Sequence, residues 1–254
     1  MKYWILMMFS MALLSIGGCG GESTDSSADG GADGDGGSTA RFAIQQGFLV
    51  TLDGGAGIAT YELDATNGAT RQIAYFNVLG GGVETLRAYE DDKLLMGTQT
   101  GSIVLQVTDD GYLYDVASIS HARSCDPVIA VEETMYITLR NGRGLSCGGS
   151  DSNNHLHVWD ISNLSAPALR ASIPLNQPYG LSALNNRLYV CTADGLVSFD
   201  ITNRWGPQQI AIDSRWMCDD VIAREDTLYL TQFDGGIQIL SDDLEPLSDL
   251  LKGE

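Results

Sequence analysis

VWDISNLSAPALRASI (residues 158–173) and SFDITNRWGPQQIAID (residues 198–213) lie 40 residues apart and align without a gap. Asp160 meets Asp200, Asn163 meets Asn203 and Pro167 meets Pro207. A second shift, of 93 residues, lays CDPVIAVEETMYIT (125–138) over CDDVIAREDTLYLT (218–231), matching the cysteine, the Asp, the Val-Ile-Ala run, a Glu, the Thr and the Tyr. Internal periods of this length with this content mark a repeat architecture.

Working outward from the 40-residue unit, four short stretches have β propensity or alternating apolar residues: 179–184, 187–192, 195–200 and 208–213. Asn185-Asn186, Ala193-Asp194-Gly195 and residues 203–207 separate them with residue types suited to turns. Four antiparallel strands per repeat make a propeller blade. Similar units can be drawn at 41–77, 83–118, 126–173 (with an insertion around 141–153) and from 219 to the C-terminus. The fold expected is therefore all-β, a β-propeller of five four-stranded blades. Residues 41–254 lack amphipathic helical periodicity, which disfavours an α/β enzyme fold.

The third strands read LVSFD (196–200), LHVWD (156–160), IQILS (237–241), IVLQV (103–107) and IATYE (58–62). With the following Asp-Ile-Ser/Thr-Asn and later Pro, they resemble the LVIVD repeat family of bacterial surface and exported propeller-like proteins, best in the third and fourth units. Trp159-Asp160 also matches the end of a WD40 repeat, but no Gly-His partner precedes it. The resemblance to LVIVD repeats implies a fold rather than an activity, and it carries over no catalytic residue.

The N-terminus carries an export signal. Lys2 is followed by an almost uninterrupted apolar run (4–16), and Ile16-Gly17-Gly18-Cys19 ends it with small residues. The run is well short of the roughly 20 residues of a membrane-spanning helix. This junction resembles the bacterial lipobox, which implies cleavage before Cys19 and lipidation of its sulfur. Gly20 rather than Asp follows, which implies the outer membrane or cell surface. Residues 1–18 are thus read as signal peptide, 19–40 as lipidated tether and 41–254 as the propeller. The tether has no aromatic or large aliphatic residue, so it cannot offset its chain entropy by burial. As a flexible coil of about 20 residues it spans roughly 25 Å. Its Asp/Gly run (29–37) lacks the ligand spacing of an EF-hand loop.

The chain carries a net charge of −19, and residues 41–254 hold 28 acidic against 13 basic residues. A surface this negative repels phosphate backbones, arguing against nucleic acid and against binding to anionic lipid head groups. The expected partners are the membrane, through the anchor, and a protein or glycan.

No catalytic constellation or cofactor site is apparent. There is no G-x-S-x-G turn. Asp126 and Asp219 each begin an innermost strand and could pair as glycosidase carboxylates, but equivalent residues in two blades are more often structural. His155 and His157, two apart on one strand, would face the same side, a spacing compatible with a metal. No third ligand is local, and the alternation also fits a solvent-facing strand edge. The expectation is a non-enzymatic binding or scaffold module, the alternative an exported propeller hydrolase or lyase acting on glycans or lactones.

Assigning Cys19 to lipid leaves Cys125, Cys147, Cys191 and Cys218, an even set suggesting disulfides in an exported chain. Four cysteines allow three connectivities. In a blade, the start of the first strand and the end of the second lie on one propeller face, and all four cysteines fall there. The most economical pairing joins Cys125 to Cys147 and Cys191 to Cys218. The same face carries the insertion with Arg140 and Arg143, and also Arg123, Asp126, Tyr179, Trp216 and Asp219. Loops on a rigid scaffold are where binding groups sit, and an aromatic-plus-Arg set suits recognition.

Overall fold

A computed structural model describes residues 37–53, 57–64, 66–68, 70–78, 82–121, 123–125, 127–141, 154–233 and 235–250, all within one compact unit, Gly31–Glu254. Among the described residues, no helix is long and apolar enough to cross a membrane. Among the described residues, twenty strands form five four-stranded antiparallel sheets, each made of four consecutive strands. Blade one holds β1 (Phe42–Gln45), β2 (Phe48–Asp53), β3 (Gly57–Leu63) and β4 (Thr70–Asn77). Blade two holds β5 (Val83–Tyr89), β6 (Lys93–Thr98), β7 (Gly101–Val107) and β8 (Leu113–Ser120). Blade three holds β9 (Val128–Val131), β10 (Thr134–Leu139), β11 (His155–Asp160) and β12 (Ala168–Pro174). Blade four holds β13 (Leu181–Leu184), β14 (Arg187–Thr192), β15 (Gly195–Asp200) and β16 (Gln208–Asp213). Blade five holds β17 (Asp220–Arg224), β18 (Thr227–Thr231), β19 (Ile237–Ser241) and β20 (Pro246–Leu250). The five sheets stand in a ring, a five-bladed β-propeller, as the repeats imply.

The repeat is visible in backbone detail. The first hairpin turn of every blade contains a residue in the left-handed region: Gln46, Glu90, Glu132, Asn185 and Glu225. Every third strand slips register against its fourth once, after Thr60, Val104, Val158, Ser198 and Ile239. Such bulges bend a strand and raise its twist, which here recurs at one place per blade. In four blades the slip follows the third letter of the aligned third-strand motif. In blade two it follows the second, so the true equivalent of LVSFD is residues 102–106, and the alignment at 103–107 is one residue late. The preceding turns agree: Thr98 and Thr192 each donate their hydroxyl to the carbonyl of a glycine three residues on, Gly101 and Gly195, at 2.8 Å.

Alternation along the strands sends one set of side chains to the preceding blade and the other to the next. Four buried clusters result, between blades one and two, two and three, three and four, and four and five. The second-strand tyrosines reach forward. Tyr136 of blade three donates its phenol to the Arg204 carbonyl in blade four at 2.9 Å, and Tyr189 of blade four donates to Asp242 in blade five at 3.1 Å. These two rings are 0% and 1% exposed, whereas the equivalent Tyr229 of blade five is 38% exposed. Among the described residues no buried apolar cluster spans blades five and one.

The seam is instead joined by polar contacts. Asp220, buried at the start of β17, accepts hydrogen bonds from Ser38 Oγ (2.9 Å), Thr39 Oγ1 (2.6 Å), the Thr39 amide (3.3 Å) and the Val221 amide (3.0 Å). Ser38 Oγ also accepts from the Leu181 amide at 2.8 Å, so the segment ahead of β1 ties blades four and five together. Gly180 makes room, because a Cβ there would stand 2.0 Å from Asp220 Oδ1. Burial raises the Asp220 carboxyl above its usual range while its four donors pull it back.

Candidate binding face

The Cys191–Cys218 disulfide joins the end of β14 to the residues before β17, with Cα atoms 5.4 Å apart. It staples blades four and five. Both cysteines are wholly buried, and Tyr179 and Trp216 pack over the cluster they belong to. Cys125 is also disulfide-bonded, and its backbone pairs with that of Arg140. Cys147, together with Asp126, Arg143 and Cys19, lies outside the described residues.

Tyr179 is fixed at the backbone from two sides. Its amide donates to Cys191 at 2.8 Å, and its carbonyl accepts the Thr138 hydroxyl of blade three at 2.7 Å. On this support the Arg140 guanidinium lies 4.3 Å from the centre of the Tyr179 ring, and Phe233 meets the same ring edge-on at 5.0 Å. Arg140 belongs to blade three, Tyr179 enters blade four and Phe233 lies in the β18–β19 turn of blade five. A cation and two rings thus form a row across three blades, with Phe233 half exposed. A cation over an aromatic face is attracted by the ring quadrupole.

Asp219 is close enough to Arg140 for the guanidinium to pull its pKa down, yet burial and the neighbouring Asp220 carboxylate leave it raised overall. The innermost strand begins at Asp220, one residue later than expected, and the structural carboxylate is Asp220. Trp216 lies half-buried under the Arg215 guanidinium at 5.3 Å. Its indole Nε1 and the Arg140 Nε are buried with no hydrogen-bond partner among the described residues. Arg123 is exposed in the segment leading into blade three.

Phe233 was not among the expected residues. Its signal was in the turn: four residues separate Thr231 from Gly236 where two separate Thr192 from Gly195, and the extra length carries an aromatic ring.

The histidines correct another expectation. His155 and His157 are half-buried, 6.0 Å apart between ring centres, on the side of β11 that packs toward blade two rather than at a solvent-facing edge. Among the described residues no group of three or more His, Cys, Asp or Glu is placed to hold a metal ion.

No protein-family model matches the chain, and no curated protein matches its sequence. Solved structures do match in shape. A protein from Lactobacillus plantarum superposes with a TM-score of 0.62 at 11% identity, over 81% of this chain and 67% of the other. The computationally designed protein Ika8 gives 0.58 at 13% identity, over 82% and 60%. BamB from Moraxella catarrhalis gives 0.52 at 14% identity, over 83% and 60%. The chain thus spans 60–67% of the length of these structures. At such identities the likeness concerns the fold alone: this chain is built as a propeller.

Proposed function

We propose that the protein is a non-enzymatic binding module, an LVIVD-type repeat lipoprotein held at the outer membrane or cell surface through Cys19, whose cysteine-bearing face takes a protein partner. One observation carries the binding assignment: the Arg140–Tyr179–Phe233 row, assembled from three blades, half open to solvent and braced from beneath by the Cys191–Cys218 disulfide. Arginine and aromatic side chains on a rigid base are the residue types that concentrate binding energy at protein interfaces. Export is supported by the signal-like N-terminus and by a disulfide, a bond that persists in oxidising compartments.

Two experiments test this reading. Labelling with an alkyne fatty acid in the native host should tag the wild-type chain and not Cys19→Ala, and an unlabelled wild type would remove the anchor. Affinity purification from the same membranes should recover a partner with the wild type and lose it with Arg140→Ala/Phe233→Ala, at an unchanged thermal midpoint. Equal recovery from that variant, and from a chain lacking residues 142–153, would exclude this face.

A further inference from the structure

The repeat supplies its own internal control for blade three. The 40-residue shift that aligns β11 with β15 places His155 over Gly195, His157 over Val197 and Trp159 over Phe199. In blade four those positions are filled as a core demands: Val197 is 1% exposed and Phe199 is 0% exposed. The first position is glycine in β3, β7 and β15. A Cβ there would stand only 2.2–2.4 Å from a fourth-strand carbonyl oxygen. Blade three departs at all three positions. His155 replaces the glycine where the two-residue turn gives way to the insertion, and His157 and Trp159 replace a compact aliphatic and a buried Phe. A local rule broken at a packed interface without a packing gain is the usual mark of a functional position.

These side chains border a cavity. Between blades two and three lies a half-enclosed pocket of about 400 Å³, whose lining includes His121, His155, His157, Trp159 and Ser172. That volume falls in the range of small-molecule sites. All three histidines of the chain line it. Its chemistry is distinctive for so acidic a protein, because among the described residues that line it there is no Asp, Glu, Lys or Arg. Burial and the neighbouring histidines push His157 down to about 4, so this imidazole is neutral at physiological pH. His157 Nδ1 and Trp159 Nε1 are buried with no hydrogen-bond partner among the described residues.

We propose that this pocket binds a neutral sugar residue of a glycan. The indole of Trp159 with Leu139 and Leu169 offers an apolar surface for the C–H face of a pyranose ring. Ser120, Ser172 and the neutral imidazole of His157 offer uncharged donors and acceptors for its hydroxyls. Among the described lining residues a phosphate or carboxylate meets no Lys or Arg, and an ammonium meets no Asp or Glu. The open side lets the remainder of a chain run into solvent. The site is separate from the Arg140–Tyr179–Phe233 row, and its failure leaves the reading of that row intact.

With only three histidines, imidazole NMR isolates the site. Glucose, galactose, mannose, N-acetylglucosamine and N-acetylgalactosamine would be titrated to millimolar excess against the labelled protein. At least one should shift the His155 and His157 signals saturably. Ser172→Phe, which fills the pocket from its exposed rim, should weaken that binding by about tenfold or more while the thermal midpoint holds. The proposal is overturned if no sugar moves these signals, or if Ser172→Phe leaves the affinity unchanged. It is also overturned if Zn²⁺ alone saturates all three imidazoles while no sugar binds.

Discussion

Asp160 and Asp200 begin the Asp-Ile-Ser/Thr-Asn segments that made the repeat readable, and each does the same work. Asp160 accepts the Ser162 amide at 3.0 Å and its hydroxyl at 2.7 Å, and Asp200 accepts the Thr202 amide at 2.7 Å. Each carboxylate thereby closes the loop between the third and fourth strands of its blade, as Asx turns do. Asp160 also pairs with Arg170, whose guanidinium stacks 4.7 Å from the Trp205 ring centre of blade four. These donors hold Asp160 down at about 2. A carboxylate with a depressed pKa stabilises the fold above its ordinary value of 3.8, and that contribution is lost as pH falls through about 2. Asp160→Asn is therefore expected to lower the thermal midpoint at pH 7, with the gap to wild type closing below about pH 2 in a pH series. His157 acts in the same direction over a different window. Its folded value of about 4 lies below the ordinary 6.5, so the unfolded chain takes up the proton first. Stability is expected to decline as pH falls from 6.5 to 4. His157→Gln should flatten that segment of a denaturation-versus-pH curve.

At the scale of the strand, the sequence was most legible where turn chemistry and alternation agree. The four strands of blade four are 181–184, 187–192, 195–200 and 208–213, within two residues of their expected bounds. Blade two was displaced by one residue in its third strand because Val104, Leu105 and Val107 are all buried, so apolar pattern alone does not mark the bulge. The Thr-x-x-Gly turn does mark it, through a hydroxyl-to-carbonyl bond and a close approach. Adding a single methyl at Gly101 should expose that constraint. Its Cβ would lie 2.2 Å from the Ile119 carbonyl oxygen, so Gly101→Ala is expected to cost about 1–3 kcal/mol in urea unfolding by pushing β8 away. The disulfide was legible as an element-level staple because a repeat places its ends on one face. It closes a sequence separation of 27, and Cys191→Ala/Cys218→Ala is expected to lose about 3–4 kcal/mol by the same measurement.

Over the whole molecule, what stayed hidden is how the ring is joined. Five blades follow from the repeats, but repeats describe what blades share, and the seam depends on what one blade does alone. Asp220 stands where blade three has Pro127, so no alignment of units points to it. Its partners Ser38 and Thr39 are more than 180 residues away in sequence. They also fall in the stretch that composition assigns to the tether. The tether reading at 19–40 and the clasp at 38–39 thus meet at the first blade. Asp220→Asn is expected to lower the thermal midpoint and to speed hydrogen exchange first in β1 and β17, before the four interfaces that have apolar cores. The row of Arg140, Tyr179 and Phe233 was half legible for the same reason. Arg140 and Tyr179 were both expected on the cysteine-bearing face, and they meet each other, whereas Phe233 depends on a lengthened turn in blade five. Whether that face meets a partner is tested most directly by site-specific photo-crosslinking in intact cells. A photoreactive residue would stand at Phe233, with a control at exposed Asp109 on the far side of the ring. A discrete adduct from position 233 and none from position 109 is the expected result. Equal adducts from both, or none from either in cells where the protein is fully expressed, would contradict a binding module that works through this face.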